Sequence, residues 1–167
     1  MKPHTLSILV ENKAGVLSRV TGLFSRRGFN IESLAVGPCE EPGMSRITIV
    51  VIGDDNKVEQ IMKQLNKLID IIKVSDLTDN PRVERELALI KVTAELGTSR
   101  AEIMQIAEIF RAQIVDVSPK SLILQVIGDT DKIVAIETLL RQYGVKELVR
   151  TGTVGILRGS KQVPGSK

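Results

Sequence analysis

Val51–Leu65, which reads VIGDDNKVEQIMKQL, recurs in the second half of the chain as VIGDTDKIVAIETLL at Val126–Leu140. In both copies an apolar run ends at Gly, an Asp follows, and apolar residues then recur at helical spacing. An Asp at the start of a helix can accept hydrogen bonds from free backbone amides. We therefore predict that the chain is an internal duplication, and that Asp54 and Asp129 cap helices and are not catalytic carboxylates.

The residues around the first copy of this repeat complete one structural unit. Alternating apolar residues predict a strand over His4–Glu11, and helical spacing from Val16 to a stop at Gly28 predicts a helix. Two strands, a helix and a last strand are then predicted at Phe29–Pro38, Ser45–Gly53, Asp54–Leu68 and Asp70–Leu77. The order β-α-β-β-α-β is the ferredoxin-like arrangement.

A polar stretch around Asn80-Pro81 interrupts the hydrophobic pattern, which then restarts with the strand-like run LALIKVTA. In this second half, Ser99 and Glu102 have the spacing of a capping box at a helix start. We predict an α+β fold with two tandem ferredoxin-like βαββαβ domains. The predicted domains are 1–78 and 84–160, with a linker at 79–83 and a flexible tail at 161–167.

Composition excludes several classes of protein. Of the 167 residues 43% are hydrophobic and only 2% aromatic, so the core is expected to be aliphatic. The net charge is +3, but acidic and basic residues are interspersed along the chain and form no basic arm. RRGF at 26–29 matches the start of an RNA-binding motif, but it lies outside a strand and the stacking aromatics are missing. We expect no nucleic-acid partner.

The sequence also contains no segment typical of membrane insertion or export. The chain turns polar too soon after its start for a signal peptide, and no apolar run approaches the roughly 20 residues that a membrane helix needs. The single cysteine, Cys39, cannot form an internal disulfide, which fits a reducing compartment. We expect no membrane partner and a cytoplasmic location, or the equivalent plastid stroma.

Motifs of catalysis are missing from the sequence. The single histidine, His4, starts a strand and has no paired base or nucleophile nearby in the sequence. Neither a metal-binding spacing, nor a phosphate-binding loop, nor a dinucleotide fingerprint is present. We therefore expect no catalytic residues, no metal site and no enzymatic activity of this chain alone.

The turn Glu11–Leu17, ENKAGVL, joins the first strand to the first helix and permits two interpretations. In the first, the turn only connects the two elements, and Asn12 caps the helix or favours the turn. In the second, the turn is a binding site. Free amides at a helix start attract a carboxylate, Gly15 allows close approach of a ligand, and Asn12 can both donate and accept. Val16 and Leu17 would line an apolar pocket, so the ligand would be an amino acid. The capping box predicted for the second half favours binding, because only the first half then has an open helix start.

A longer stretch around this turn resembles a known family. Glu11–Leu34 follows the pattern N-x-x-G-V/A-L-x-R-V, then G-L-F-x-R-R-G-F/Y-N-I-E-S-L, of the small regulatory subunits of acetolactate synthase (acetohydroxyacid synthase). Further similar segments lie at Ser45–Ile49, Arg82–Val92, Glu108–Gly128 and Thr151–Gly159. The resemblance covers nearly the whole chain and shows no departure at the Asn and Gly positions.

The resemblance implies an N-terminal ACT domain, a ferredoxin-like ligand-sensing fold, followed by a second domain of similar topology. It implies that the chain is a non-catalytic, allosteric subunit in the biosynthesis of valine, leucine and isoleucine. Such a subunit activates a separate large catalytic subunit and makes it subject to feedback inhibition by valine. Thiamine diphosphate, magnesium and FAD belong to that large subunit, so no cofactor is expected in this chain.

The resemblance further implies that the effector binds at the interface of two ACT domains in a homodimer. The residues carried over are Asn12, Ala14, Gly15, Val16, Leu17, Asn30 and Ile31. Asn30 would come from the neighbouring subunit. The alternative is a stand-alone amino-acid-binding ACT sensor that acts on another partner. The choice among the three branched-chain effectors stays open, because one methylene changes affinity by only about 1–3 kcal/mol.

Overall fold

The structure, a computed structural model, describes residues 1–159 and divides the chain into two compact units. The first unit contains Met1–Val83 together with the described residues from Thr153 onward, and the second contains Glu84–Gly152. Each unit has a hydrophobic core of its own.

The first unit is a four-stranded antiparallel sheet with two helices. Its elements are β1 (Lys2–Glu11), α1 (Val16–Arg26), β2 (Ile31–Pro38), β3 (Met44–Gly53), α2 (Asp55–Leu65) and β4 (Ile71–Asp76). The strand order is β2-β3-β1-β4, with β2 and β4 at the edges of the sheet. Apolar side chains from alternate positions of the central strands pack against one face of each helix, among them Leu6, Ile8, Ile47, Ile49, Val20, Phe24 and Ile61. This alternation is what the sequence pattern predicts.

The second unit repeats this architecture. Its elements are β5 (Arg82–Thr93), α3 (Thr98–Ile109), β6 (Gln113–Val117), β7 (Ser121–Gly128), α4 (Thr130–Leu140), a 3-10 turn (Arg141–Tyr143) and β8 (Val145–Arg150). The strand order β6-β7-β5-β8 matches that of the first unit, with β6 in the place of β2. A final strand, β9 (Val154–Leu157), pairs with β5, which begins within the first unit. The predicted fold class, two βαββαβ units, is therefore confirmed.

The Asp residues of the repeated motif cap their helices as predicted. The Asp54 carboxylate accepts a hydrogen bond of 2.9 Å from the backbone N–H of Lys57. The Asp129 carboxylate accepts an equivalent bond, also 2.9 Å, from the N–H of Lys132. Since each Asp satisfies an otherwise unpaired amide, capping accounts for both positions.

The capping box predicted at Ser99 is wrong. Helix α3 begins at Thr98, and its cap residue is Gly97, with φ 119° and no side-chain cap. Ser99 therefore lies inside the first helical turn and cannot act as the cap. Nearby, the Arg100 guanidinium donates to the carbonyl of Ala94 at 2.6 Å and ties the helix to the end of β5. Both units thus begin their first helix at a glycine, and the predicted contrast between the two turns does not exist.

The division into units differs from the domains predicted from sequence. Strand β5 begins at Arg82, within the predicted linker 79–83. Thr153 groups with the first unit, where its N–H donates to the Ser33 hydroxyl at 2.7 Å. The described residues from Thr153 onward therefore group with Met1–Val83 and not with the rest of the predicted domain 84–160. The predicted tail 161–167 lies outside the described residues.

Arg111 follows α3 in the left-handed region, with φ 53°, and is the only non-glycine described with positive φ. The same place after α1 is occupied by Gly28, with φ 73°. A Cβ in this region costs roughly 1–2 kcal/mol, and the greater chain entropy of glycine offsets about 0.5–1 kcal/mol of that. We therefore expect Arg111→Gly to raise the free energy of unfolding by about 0.5–1 kcal/mol. Chemical denaturation measures the change. Arg111→Ala removes the same charge but keeps the strain, so equal stability of the Gly and Ala variants would contradict the prediction.

Candidate effector site

Two neighbouring loops hold the turn after β1 in place. The N–H of Glu11 donates to the carbonyl of Asp70, just before β4, at 2.9 Å. The N–H of Asn12 donates to the carbonyl of Gly43, just before β3, also at 2.9 Å. These backbone bonds fix the turn without using the Asn12 side chain, which is exposed. The Asn12 carboxamide is therefore available to a ligand, and it is not the cap of the helix.

Helix α1 starts with unpaired backbone amides. Its cap residue is Gly15, in the left-handed conformation with φ 83°, and no side chain caps the helix. The first turn contains no acidic residue, whereas Asp54 and Asp55 stand at the start of α2. Within residues 1–159, no acceptor pairs with the N–H of Leu17 or Ser18. Such a helix start attracts a carboxylate or another anion.

The side chains of the turn divide between core and solvent. Asn12, Ala14 and Gly15 are exposed, and Leu17 is 38% exposed. Val16 is only 3% exposed, because it packs in the core of the first unit. The prediction that Val16 and Leu17 together line a pocket is therefore wrong for the Val16 side chain. Leu17 and the smaller Ala14 present apolar surface beside the open amides.

The charges around the turn are paired. Lys13 forms an ion pair with Glu11, whose carboxylate raises the pKa of the lysine through a hydrogen bond and its charge. Arg19, in the first part of α1, contacts the Asp70 carboxylate at 2.6 Å. Since Lys13 and Arg19 are each neutralised by a carboxylate, an anion would bind at this turn mainly through hydrogen bonds from the free backbone amides.

Asn30 and Ile31 lie at the opposite end of the first unit from the turn. Ile31 pairs with Val51, and Val51 pairs with His4 near the start of β1, whereas the turn follows Glu11 at the end of β1. At 3.3 Å per residue these positions are roughly 20 Å apart. The structure therefore does not bring the two predicted groups of site residues together within one chain.

Asn30 and Ile31 also differ in how accessible their side chains are to a ligand. The exposed Asn30 carboxamide donates to the Glu32 carboxylate at 2.8 Å, an exposed contact that a ligand can replace. Ile31 is partly buried against the core. Asn30 is thus the better placed of the two for contact with a molecule outside its own unit.

His4 makes contacts that sequence reasoning missed. It lies on β1 as predicted, but its ring is buried between two carboxylates. Nδ1 is 2.9 Å from Asp76, and Nε2 is 3.2 Å from Asp55 without hydrogen-bond alignment. Asp55 also contacts Lys2 at 3.2 Å. These groups connect β1, the start of α2 and the end of β4, so His4 has a structural role. No local sequence signal could have shown it, because the partners are distant along the chain.

The network around His4 makes stability depend on pH. Burial alone would raise the pKa of Asp76, but hydrogen bonds from Thr78 and the contact with His4 outweigh it, so its pKa lies below the ordinary 3.8. A lowered pKa means that the stabilisation is present above the ordinary value and is lost as pH falls through the lowered one. We expect Asp76→Asn to cost about 1–2 kcal/mol in urea unfolding at pH 7 and less at pH 3, which lies below the ordinary pKa of 3.8, where the stabilisation is being lost. Asp79→Asn, at an exposed position, is the control, and an equal cost at both pH values would contradict the prediction.

Two features are absent from residues 1–159. In that part of the chain, no group of three or more His, Cys, Asp or Glu side chains is arranged to hold a metal ion. None of its helices combines the length and the apolar character needed to cross a membrane.

Comparison with known families agrees with the resemblance. Residues 6–73 match the family described as "AHAS small subunit-like ACT domain", and residues 85–159 match "Small subunit of acetolactate synthase". A probable acetolactate synthase small subunit of Archaeoglobus fulgidus is 60% identical over 159 residues, which are 95% of this chain and 99% of that protein. An acetolactate synthase small subunit of Aquifex aeolicus is 51% identical over 158 residues, covering 95% of this chain and 82% of that one.

A solved structure is similar over almost the whole chain. The acetolactate synthase small subunit of Thermotoga maritima has a TM-score of 0.87 and 46% identity, covering 96% of this chain and all of that one. This similarity extends through both units, and the first unit is an ACT domain. The chain belongs to the family of acetolactate synthase small subunits.

Proposed function

We propose that this chain is the regulatory subunit of an acetolactate synthase. It activates a large catalytic subunit, which holds thiamine diphosphate, magnesium and FAD, and it makes that subunit sensitive to valine. The main support for an effector site is the start of α1. No side chain caps this helix after Gly15, and the backbone N–H groups of Leu17 and Ser18 have no acceptor within residues 1–159. The valine carboxylate binds these amides, and the Asn12 carboxamide binds its ammonium group.

Pairing of two ACT domains would complete this site. Strand β2 is an edge strand, so a second copy can add its own β2 in antiparallel orientation. That pairing sets Asn30, before one β2, near Pro38 at the end of the other. Pro38 pairs with Ser45, and the neighbouring Met44 pairs with Glu11, so the turn lies at this same end. Asn30 of the partner subunit therefore approaches the valine held by the turn.

Regulation requires that valine distinguish two arrangements of the ACT pair. A ligand that touches both subunits favours the arrangement in which its two sets of contacts are satisfied together. If the catalytic subunit is activated by the other arrangement, valine lowers activity through a coupling free energy of typically 1–3 kcal/mol, a roughly 5- to 150-fold effect. No direct contact between valine and the catalytic centre is needed.

Reconstitution tests this function. The purified chain is mixed with an acetolactate synthase large subunit, and turnover is measured with and without valine, leucine or isoleucine. We expect a rise in turnover on mixing, co-elution of the two chains, and inhibition by valine. Absence of both co-elution and activation, with valine binding retained in calorimetry, would favour a stand-alone sensor instead.

A further inference from the structure

The loop between α2 and β4 presents an isoleucine almost completely to solvent. Ile69 is 94% exposed, although the residues on either side of it are fixed. The Leu68 side chain packs against the core of the first unit, and its carbonyl accepts the N–H of Ile71 at 3.1 Å. The Asp70 carbonyl accepts the N–H of Glu11 at 2.9 Å. The exposure of Ile69 therefore belongs to a hydrogen-bonded turn that holds the side chain outward.

The second unit has the same fold without this isoleucine. Five residues join α2 to β4, but only four join α4 to β8. Tyr143 packs against the core of the second unit, as Leu68 does in the first. The carbonyl of the next residue, Gly144, accepts an N–H from the end of β5, as Asp70 does from the end of β1. Ile69 is thus an extra residue that the fold does not require, which indicates a role in binding.

A basic groove precedes this loop along the chain. It has a volume of about 480 Å³ and is formed by the last part of α2 and the residue that follows α1. Its lining consists of three cations and three amides, which are Arg27, Lys63, Lys67, Gln60, Gln64 and Asn66. Within residues 1–159, Arg27 and Lys67 form no ion pair, whereas Lys63 pairs with Glu59 at 2.7 Å. The groove therefore has positive charge to offer to a partner.

We propose that Ile69 and the basic groove form the docking surface for the large catalytic subunit, which rests on the regulatory function proposed above. The surface of the large subunit is an apolar pocket for Ile69, flanked by carboxylates that pair with Arg27 and Lys67. An apolar anchor beside a charged rim is the usual anatomy of a protein interface. A two-fold contact with a second copy would set these cations against each other, so the charge favours a different, acidic partner.

This docking surface is bonded directly to the proposed effector site. Asp70, the neighbour of Ile69, binds Glu11 at the end of β1 through its carbonyl. Its carboxylate contacts Arg19 of α1 at 2.6 Å. The loop is therefore held by the strand before the effector turn and by the helix after it. A change in that turn on valine binding would shift Ile69 against the catalytic subunit, which gives regulation a short path.

Photo-cross-linking of the reconstituted complex tests the contact itself. Ile69 is replaced by the photoreactive residue p-benzoylphenylalanine, and the chain is mixed with an acetolactate synthase large subunit and irradiated. We expect a covalent product of one small and one large subunit on a denaturing gel. The same replacement at Leu96, which is 80% exposed in a loop of the second unit, is the matched control and should give no such product.

Two variants separate the apolar contact from the charge. Ile69→Asp should weaken binding of the large subunit at least about tenfold, because an apolar anchor is replaced by a carboxylate that faces an acidic surface. Lys67→Glu should slow association and make its rate less sensitive to salt. Leu96→Asp and Lys146→Glu, the controls at exposed positions of the second unit, should bind as the unchanged chain does. Calorimetry should show retained valine binding in all four variants.

The outcomes distinguish this proposal from the function on which it rests. If the unchanged chain neither co-elutes with the large subunit nor activates it, the proposed function and this docking surface both fall. If the unchanged chain binds but Ile69→Asp binds equally well, only the docking surface is wrong. Equal cross-linking at Ile69 and Leu96 would overturn it as well. Circular dichroism of each variant establishes that a loss of binding is not a loss of folding.

Discussion

Valine inhibition of the reconstituted enzyme is expected to disappear when Gly15 is replaced by Asp, while activation by the subunit persists. The new carboxylate would stand at the open start of α1, where the carboxylate of valine is proposed to bind. A Cβ at Gly15 meets no atom within 4 Å, so the site has room for a side chain. Repulsion between the two carboxylates and occupation of the free amides should weaken valine binding at least ~100-fold, about 2.7 kcal/mol.

The matched variants separate charge from backbone strain. Gly15→Asn has nearly the same shape as Asp without the charge, and Asn and Asp both tolerate the left-handed region better than most residues. Each should cost about 1 kcal/mol of stability, so a difference in valine affinity between them reports the charge. Leu96→Asp introduces a carboxylate at an exposed position in the equivalent turn of the second unit, and should leave inhibition intact. Retained inhibition in Gly15→Asp would exclude the assigned site.

Loss of the Arg150 side chain is expected to destabilise the second unit strongly. Glu86 is buried, 4% exposed, and its two carboxylate oxygens are bound by Nε and Nη2 of Arg150. Arg150→Met leaves the buried Glu86 carboxylate without its partner. Breaking one side of a fully buried pair typically costs about 3–5 kcal/mol. Because the Arg150 side chain is 32% exposed and water screens the pair in part, we expect a loss near the lower end of that range in urea unfolding at pH 7.

Lys91→Met and the double variant Glu86→Gln/Arg150→Met are the controls for Arg150→Met. Lys91 and Glu147 form a pair at 3.4 Å between the same two strands, β5 and β8, but both side chains are exposed. Lys91→Met should therefore cost less than about 1 kcal/mol. Adding Glu86→Gln to Arg150→Met removes the unpaired charge and should recover much of the lost stability. Equal losses in Lys91→Met and Arg150→Met would contradict the proposed burial effect.

Periodicity and the repeated motif were enough to predict the architecture of both units. Alternation around Ile8 predicts β1, and the Asp54 and Asp129 caps follow from residue type and position alone. These features are local, since a strand pattern or a helix cap involves neighbours in the sequence. The capping box at Ser99 is equally local, and it failed because the helix starts two residues earlier than such a cap requires, at Thr98 and not at Arg100.

The features that sequence reasoning missed are contacts between distant residues. The partners of His4 come from α2 and the end of β4, and the partner of Glu86 lies on β8. Only the fold brings such groups together. The same limit applies to the effector site. Its residues follow from the resemblance, but the wide separation of Asn12 and Asn30 within one chain appears only once the strand register is known.

A crystal structure of the chain bound to valine tests the proposed effector site most directly. The proposed function predicts one valine beside each α1 start, with its carboxylate on the amides near Leu17 and Ser18 and its ammonium group near Asn12. Asn30 of the partner subunit should complete each site across paired β2 strands. Valine bound within a single copy away from this turn, or in the second unit, would contradict the central claim.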